Sequence, residues 1–396
     1  MRRVLRFGAG LIVGIVIGGG AVLLTGASPA LVTLVSTTQT VPVTTPVPTT
    51  SVATAAALSM YLVWTPGGLP ADLATGIEDM AGVSVVSVVK SDLIELTTSR
   101  DALGVVIDQP DPGLVIPVEV ASIDSALAEL VPVDWHDTIE GVAEDGLLLT
   151  ESSASVRQLG AGGTLVLKGS DLRVEAVVPD VVLGAAEIVV TEATGESLGV
   201  TTPRYLLVAF TGDRANFERQ VRALLPSDQA VRIRAPGETP FLRQGDAVLP
   251  QVIVKDTFGE FAIREVGGGE FEIDQDWTAA NLTTEEIPLI GAATCHVGVM
   301  SALRSAMTEL EQANLGFLVE TFHGCWNPRF IGGTRSISRH AWGVAVDINY
   351  QANVTGQTTT QDARLVDTME RWGFTWGGNW LIPDAAHFEW VSPPLP

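Results

Sequence analysis

An unbroken apolar run extends from Phe7 to about Leu24, with no polar face along it. At about 18–20 residues it is long enough to cross a bilayer as a helix. Arg2, Arg3 and Arg6 precede it, which predicts that end in the cytoplasm and everything after it outside. Residues 1–25 are therefore expected to be a single membrane anchor. A cleaved signal peptide is the alternative, because the small residues Ala27 and Ser28 follow. Within 26–56, the stretch TTQTVPVTTPVPTT cannot bury enough surface to fold, and its prolines keep it extended. It reads as a stalk.

From 57 to 240 the pattern changes to short apolar runs and amphipathic helices. Tyr61-Leu62-Val63-Trp64 predicts a strand, and Leu73, Ile77 and Met80 at i, i+4, i+7 predict a helix. Val83 to Val89 predicts a second strand. The same layout returns with a strand at Tyr205–Val208 and a helix opening at Thr211-Gly212-Asp213. Phe217, Val221 and Leu224 line that helix, and a strand follows at Ala230–Ile233. Between these halves, Thr164–Leu167 and Leu172–Val178 read as a hairpin turning at Lys168-Gly169-Ser170-Asp171. Two strand–helix–strand halves around a β-rich insert predict an α+β domain.

The last segment, 241–396, opens on a connector. Met300, Leu303, Met307 and Leu310 predict an amphipathic helix from Val297 to about Asn314. Phe317 to Thr321 reads as a strand. Two alternations follow. Val344, Val346 and Ile348 form one strand face, while Gly343, Ala345 and Asp347 form the other. Near the end, His387 and Glu389 share a face, with Phe388 and Trp390 opposite. A lone carboxylate among small residues is costly to bury unless it is paired or binds a metal. His340, Asp347 and His387 together suit Zn²⁺, as three ligands with one position open for water. A nearby carboxylate must then shuttle the proton, and Asp384 is the candidate. Taken singly, each has an ordinary reading: a loop histidine, a strand-end cap, a core histidine.

As a set they match a family pattern. Ser338-x-His340-x-x-Gly343-x-Ala345-x-Asp347, followed by Asp384-x-x-His387-Phe388-Glu389, resembles the D-alanyl-D-alanine carboxypeptidase and L-alanyl-D-glutamate endopeptidase metallopeptidases. These include VanY-like enzymes and phage endolysin peptidases. The resemblance runs from about Phe258 to Trp390. It implies an α+β zinc peptidase domain with a small antiparallel sheet, cleaving peptidoglycan stem peptides by zinc-activated water. His340, Asp347 and His387 match the zinc ligands, and Asp384 matches the catalytic acid/base. An arginine upstream of the Ser-x-His motif binds the substrate carbonyl or carboxylate. Arg329 is the choice, with Arg335 as the alternative. Ser338 is expected to orient the site, and Glu389 to hold a ligand histidine from behind. His296 and His323 are expected to be structural. An inactive peptidase fold that binds the wall or a division partner is the second reading.

In the middle domain, Glu151 to Gly163 (ESSASVRQLGAGG) and the hairpin after it resemble the extracytoplasmic domain of MacB-type and FtsX-type transporter permeases. That implies a small α+β domain that contacts a membrane-protein partner and does no chemistry. His136 there has no second ligand nearby and reads as a loop histidine.

Composition adds three points. The chain of 396 residues carries 46 acidic and 23 basic residues, net −23, which argues against a nucleic-acid partner. Residues 291–396 contain 9 acidic and 6 basic residues, so the excess lies in the middle segment, where it is expected to repel anionic lipid and wall polymers. Cys295 and Cys325 are expected to form a disulfide outside the cytoplasm, with thiolate metal ligands or free thiols as alternatives. Six of the nine tryptophans fall in 326–396, where they pack a core or, in the case of Trp376 or Trp380, wall a peptide cleft.

Overall fold

The computed structural model describes residues 60–238 and 245–391. The expected anchor (1–25) and stalk (26–56) lie outside them. Among the described residues no helix is long and apolar enough to cross a membrane. The fold is mixed α+β, as the patterning predicts.

Nine strands of the middle domain share one sheet: β1 (Met60–Trp64), β2 (Val83–Arg100), β3 (Ile116–Ile123), β4 (Gly146–Thr150), β5 (Thr164–Leu167), β6 (Ser170–Val178), β7 (Ile188–Thr191), β8 (Pro203–Phe210) and β9 (Arg232–Arg234). Their order is β3-β7-β4-β6-β5-β2-β8-β1-β9. The two predicted halves interleave. With α1 (Leu73–Glu78) and α6 (Arg214–Ala223), they give a split β-α-β pattern in the order β2-β8-β1-β9. Leu73 and Ile77 from one helix and Phe217 and Val221 from the other bury on the same sheet face. Asp213 caps α6, accepting from the Asn216 amide at 2.7 Å.

The insert closes on itself. β2 runs to Arg100, well past the predicted end at Val89, because it changes partners along its length. It pairs with β8 up to Lys90, with β3 over Lys90–Leu96 and with β5 from Leu96. The polar Lys90-Ser91-Asp92 therefore marks an exchange of partners rather than a strand end. The β5–β6 hairpin turns on two residues, Lys168 and Gly169, both at positive φ (49° and 86°), as a primed turn requires. Short helices α2 (Leu127–Leu130), α3 (His136–Glu140), α4 (Glu151–Arg157) and α5 (Glu192–Leu198) connect the remaining strands.

The connector enters as α7 (Gln251–Phe258). It reaches into the middle domain: Glu187, fully buried, accepts from Gln251 (2.6 Å), Lys255 (2.7 Å) and Arg157 (2.9 Å). Glu260 adds a second carboxylate, 2.9 Å from both Arg157 and Lys255. Charges this deep persist only when paired and hydrogen-bonded. Burial opposes ionisation of Glu260, but the two cations hold its carboxyl down at about 2.

Beyond α7 come the hairpin β10 (Ile263–Gly267) and β11 (Glu270–Ile273), helix α8 (Gln275–Asn281), and a second hairpin, β12 (Leu282–Ile287) and β13 (Gly291–His296). Helix α9 (Val297–Gln312) buries Met300, Leu303, Met307 and Leu310, the predicted stripe. Each side chain so buried contributes about 1.5–3 kcal/mol. Helix α10 (Ala363–Arg371) packs beside it. The last sheet has three antiparallel strands, β14 (Ala345–Asp347), β15 (Phe374–Trp376) and β16 (His387–Trp390), with β16 in the centre. The predicted strand at Phe317–Thr321 does not form. Gly316–Leu318 is a 3-10 turn with Phe317 exposed, and the Glu320 and Thr321 amides donate to the Asn349 side chain instead of to a ladder.

Candidate metal centre

β14 and β16 pair in a register that sets Asp347 opposite His387. Cross-strand neighbours on one face lie within side-chain reach, so two of the three expected ligands meet by sheet geometry alone. His340 arrives from a 3-10 turn, Arg339–Trp342, that precedes β14. Ser338 caps that turn, accepting from the His340 amide at 3.3 Å. Gly343 ends it at φ +67°, and a Cβ there would lie 2.8 Å from the His296 nitrogen. Only glycine permits that approach.

Tautomers are assigned from partners. The His340 Nδ1–H donates to the Cys325 carbonyl at 2.8 Å, which leaves the lone pair on Nε2. The His387 Nε2 faces Glu389 Oε2 at 3.9 Å, beyond hydrogen-bond length but close enough for the carboxylate to favour a proton on that nitrogen, so Nδ1 is the one that can offer a lone pair. Those two lone pairs and Asp347 Oδ1 converge: His340 Nε2 to Asp347 Oδ1 3.2 Å, His387 Nδ1 to Asp347 Oδ1 3.2 Å, and His340 Nε2 to His387 Nδ1 3.3 Å. Three acceptors facing one another repel unless a cation or a proton sits among them. A tetrahedral ion with bonds of about 2.0 Å needs donors about 3.3 Å apart. The spacing fits, and among the described residues this is the group able to hold a metal.

The electrostatics agree with that geometry. Burial alone would lower His387, yet its contacts with Asp347 and Glu389 raise it to about 9. Burial opposes the Asp347 charge too, but a proton shared with the facing His340 and His387 nitrogens takes its carboxyl well below the usual range. A positive centre is wanted here.

Asp384 is half-buried, three residues before His387, and its carbonyl accepts from the His387 amide at 3.1 Å. Gly377 packs against it so closely that a Cβ would lie 2.6 Å from the Asp384 carbonyl oxygen. Burial raises the Asp384 carboxyl, with the Asp347 charge acting in the same direction. The nearby imidazoles and a hydrogen bond with Thr355 oppose the rise without cancelling it. A carboxyl raised in this way suits a group that takes and returns a proton.

The other expected residues fall as follows. Arg335 is engaged, 2.7 Å from Glu265 and over the Phe330 ring. Arg329 is half-buried, and no ion pair occupies its guanidinium among the described residues. Its loop is tied to the site: the Asn327 amide donates to the His340 carbonyl at 2.9 Å, and the Ser338 amide to the Arg329 carbonyl at 3.1 Å. Glu389 is buried behind His387, with Arg339 Nε 3.3 Å from Oε1. Trp380 lies beside His387 with ring centroids 5.1 Å apart and the planes tilted by 48°, and its buried indole nitrogen has no hydrogen-bond partner among the described residues. Trp376 instead spends its indole N–H on the Ala385 carbonyl at 2.9 Å. Trp380 is thus the one placed to wall the site.

His296 is structural, capping α9 through Nδ1 and contacting the Phe258 carbonyl at 3.2 Å. His323 contacts Gln351 at the surface. His136 contacts the Val131 carbonyl and opens α3. Cys295 and Cys325 are joined as a disulfide with Cα atoms 5.4 Å apart, which excludes the thiolate-ligand reading. Sequence reasoning missed three partners: the Cys325 carbonyl, Thr355 and Arg339. Backbone carbonyls carry no side-chain signal. Arg339 was within reach, lying inside the Ser-x-His motif itself.

Residues 332–390 match a protein-family model described as D-alanyl-D-alanine carboxypeptidase. The middle domain is weakly similar to the periplasmic region of MacB from Actinobacillus actinomycetemcomitans, at 13% identity and TM-score 0.33, over 45% of this chain and 89% of that one. It is likewise weakly similar to the extracellular domain of the noncanonic ABC-type transporter YknZ from Gram-positive bacteria, at 13% identity and TM-score 0.30, over 44% of this chain and 99% of that one. No curated protein sequence matches the chain.

Proposed function

We propose that this chain is a zinc peptidase that cleaves peptidoglycan stem peptides at the outer face of the cell membrane, anchored by residues 1–25. One observation carries the catalytic reading: two imidazole lone pairs and a carboxylate oxygen converge at tetrahedral spacing beside a carboxyl with a raised pKa. The carboxypeptidase family match over the same residues supports it. The outside location is supported by Arg2, Arg3 and Arg6 ahead of the apolar run, and by the disulfide.

His340, Asp347 and His387 would hold the ion. When bound, zinc supplies a Lewis acid that polarises the scissile carbonyl and makes water nucleophilic near neutral pH. Asp384 accepts the proton that water gives up as its oxygen adds to the carbonyl carbon. It then delivers that proton to the leaving nitrogen as the C–N bond breaks. Arg329 offers an unengaged guanidinium to a substrate carboxylate or carbonyl oxygen. Trp380, its ring centroid 5.1 Å from that of His387, walls the approach.

The test is mass spectrometry of muropeptides incubated with the purified chain and zinc. Release of D-alanine or of a cleaved stem fragment is expected, and no product from any stem peptide would overturn the activity. The ligand assignment is tested separately by metal analysis of His387→Ala, where retained stoichiometric zinc would remove it.

A further inference from the structure

The segment that enters the peptidase domain, residues 245–250, touches both sides of the molecule. Asp246 is almost buried. Its Oδ1 lies 3.0 Å from Arg232 Nη2 and 3.2 Å from Arg234 Nη2, both on β9 of the middle domain. Its Oδ2 accepts the Leu381 backbone N–H at 2.6 Å. Arg234 also donates to the Gly245 carbonyl at 2.7 Å. Leu381 packs its side chain against the middle-domain core built on Met60, Leu62 and Trp64. It sits immediately after Trp380, whose ring faces His387, and three residues before Asp384. Three residues after Asp246 along the strap, the Leu249 carbonyl accepts from Arg339, the same guanidinium that holds Glu389 behind His387.

We propose that Asp246 is a positioning residue, through which the middle domain fixes the loop carrying Trp380 and Asp384. This inference rests on the peptidase reading above. A surface carboxylate would find its partners in water. Here one carboxylate is shared among two middle-domain cations and one peptidase amide, and the packing around it leaves little water to substitute. Loss of its charge leaves two crowded guanidinium groups and a backbone N–H competing for one neutral oxygen. The loop is then free to shift, and a shift of about 1 Å in a proton-transferring group costs up to a hundredfold in rate. The middle domain is thereby a working part of the peptidase, and whatever displaces β9 alters turnover.

The experiment uses the full zinc-loaded chain with two variants, Asp246→Asn and the double change Arg232→Gln/Arg234→Gln. The second alters only middle-domain residues and keeps the proposal testable if the first folds poorly. Three readouts are taken: amide hydrogen exchange over 380–386, bound zinc, and kcat and KM on a stem peptide. Faster exchange at Leu381, unchanged zinc, and a kcat lowered about tenfold or more with KM little moved are expected in both variants. Unchanged exchange at Leu381 in either variant overturns the proposal. So does a kcat that falls only in proportion to lost zinc or lost folded protein. If the unaltered chain cleaves no stem peptide, the peptidase reading fails alone, and the exchange measurement still decides whether Asp246 holds the loop.

Discussion

Replacing Glu389 by Gln keeps the shape of a buried side chain and removes its charge. Two neighbours feel the loss. Arg339, 3.3 Å away, becomes a buried cation without its carboxylate. Removing one partner of a buried pair typically costs about 3–5 kcal/mol. The lower end is expected here, because Arg339 keeps the Leu249 carbonyl and the face of Trp342. His387 loses the carboxylate that its Nε2 faces at 3.9 Å. Partners of this kind, one shell out from a metal, are worth about 10–100-fold in affinity, or roughly 1.4–2.7 kcal/mol. Chelator competition measures the second effect, and thermal melting of the zinc-free protein measures the first. The two separate in Glu389→Gln/Arg339→Met, which removes the stranded cation. Stability should recover there while zinc binding stays weak. Zinc affinity of Glu389→Gln within about twofold of the unaltered chain would refute the reasoning.

Zinc binding should strengthen as pH rises. Asp347 and Glu389 outweigh burial and hold a proton on metal-free His387 up to about pH 9, so the ion must displace it. Affinity should climb about tenfold per pH unit and level off above that value, and a flat profile in chelator competition contradicts it. Arg329→Ala should raise KM for a stem peptide with little change in bound zinc, whereas Arg335→Ala, already committed to Glu265, should change neither. Equal effects of the two on KM would reverse the assignment. Glu187→Gln leaves Arg157 and Lys255 sharing the single carboxylate of Glu260 and should cost about 1.5–3 kcal/mol in urea unfolding. An unchanged urea midpoint would show that the network contributes nothing.

The candidate metal group was legible in the sequence because strands alternate. A period of two put His387 and Glu389 on one face and isolated Asp347 among small residues, and the structure keeps both arrangements. The split β-α-β halves were legible for the matching reason, since Leu73/Ile77 and Phe217/Val221 repeat at helical spacing. The register that sets Asp347 against His387 was not legible, because it depends on β16 entering between its near neighbour β15 and the more distant β14. β2 was read too short because a change of partner looks like a polar break. Phe317–Thr321 was read as a strand because apolar content outweighs what a single side chain, Asn349, can do to the amides of two residues. The strap at Asp246 left no trace, since one acidic residue among 46 is unremarked until its three partners are seen together.

The disulfide braces the loop that orients His340. Cys325 joins Cys295 across 30 residues of chain, and its carbonyl is the acceptor that turns His340 Nε2 toward Asp347. Reduction would release that loop from β13 without removing any of the three converging side chains. The protein would then keep its inventory of donor atoms and lose the rigidity with which they are presented.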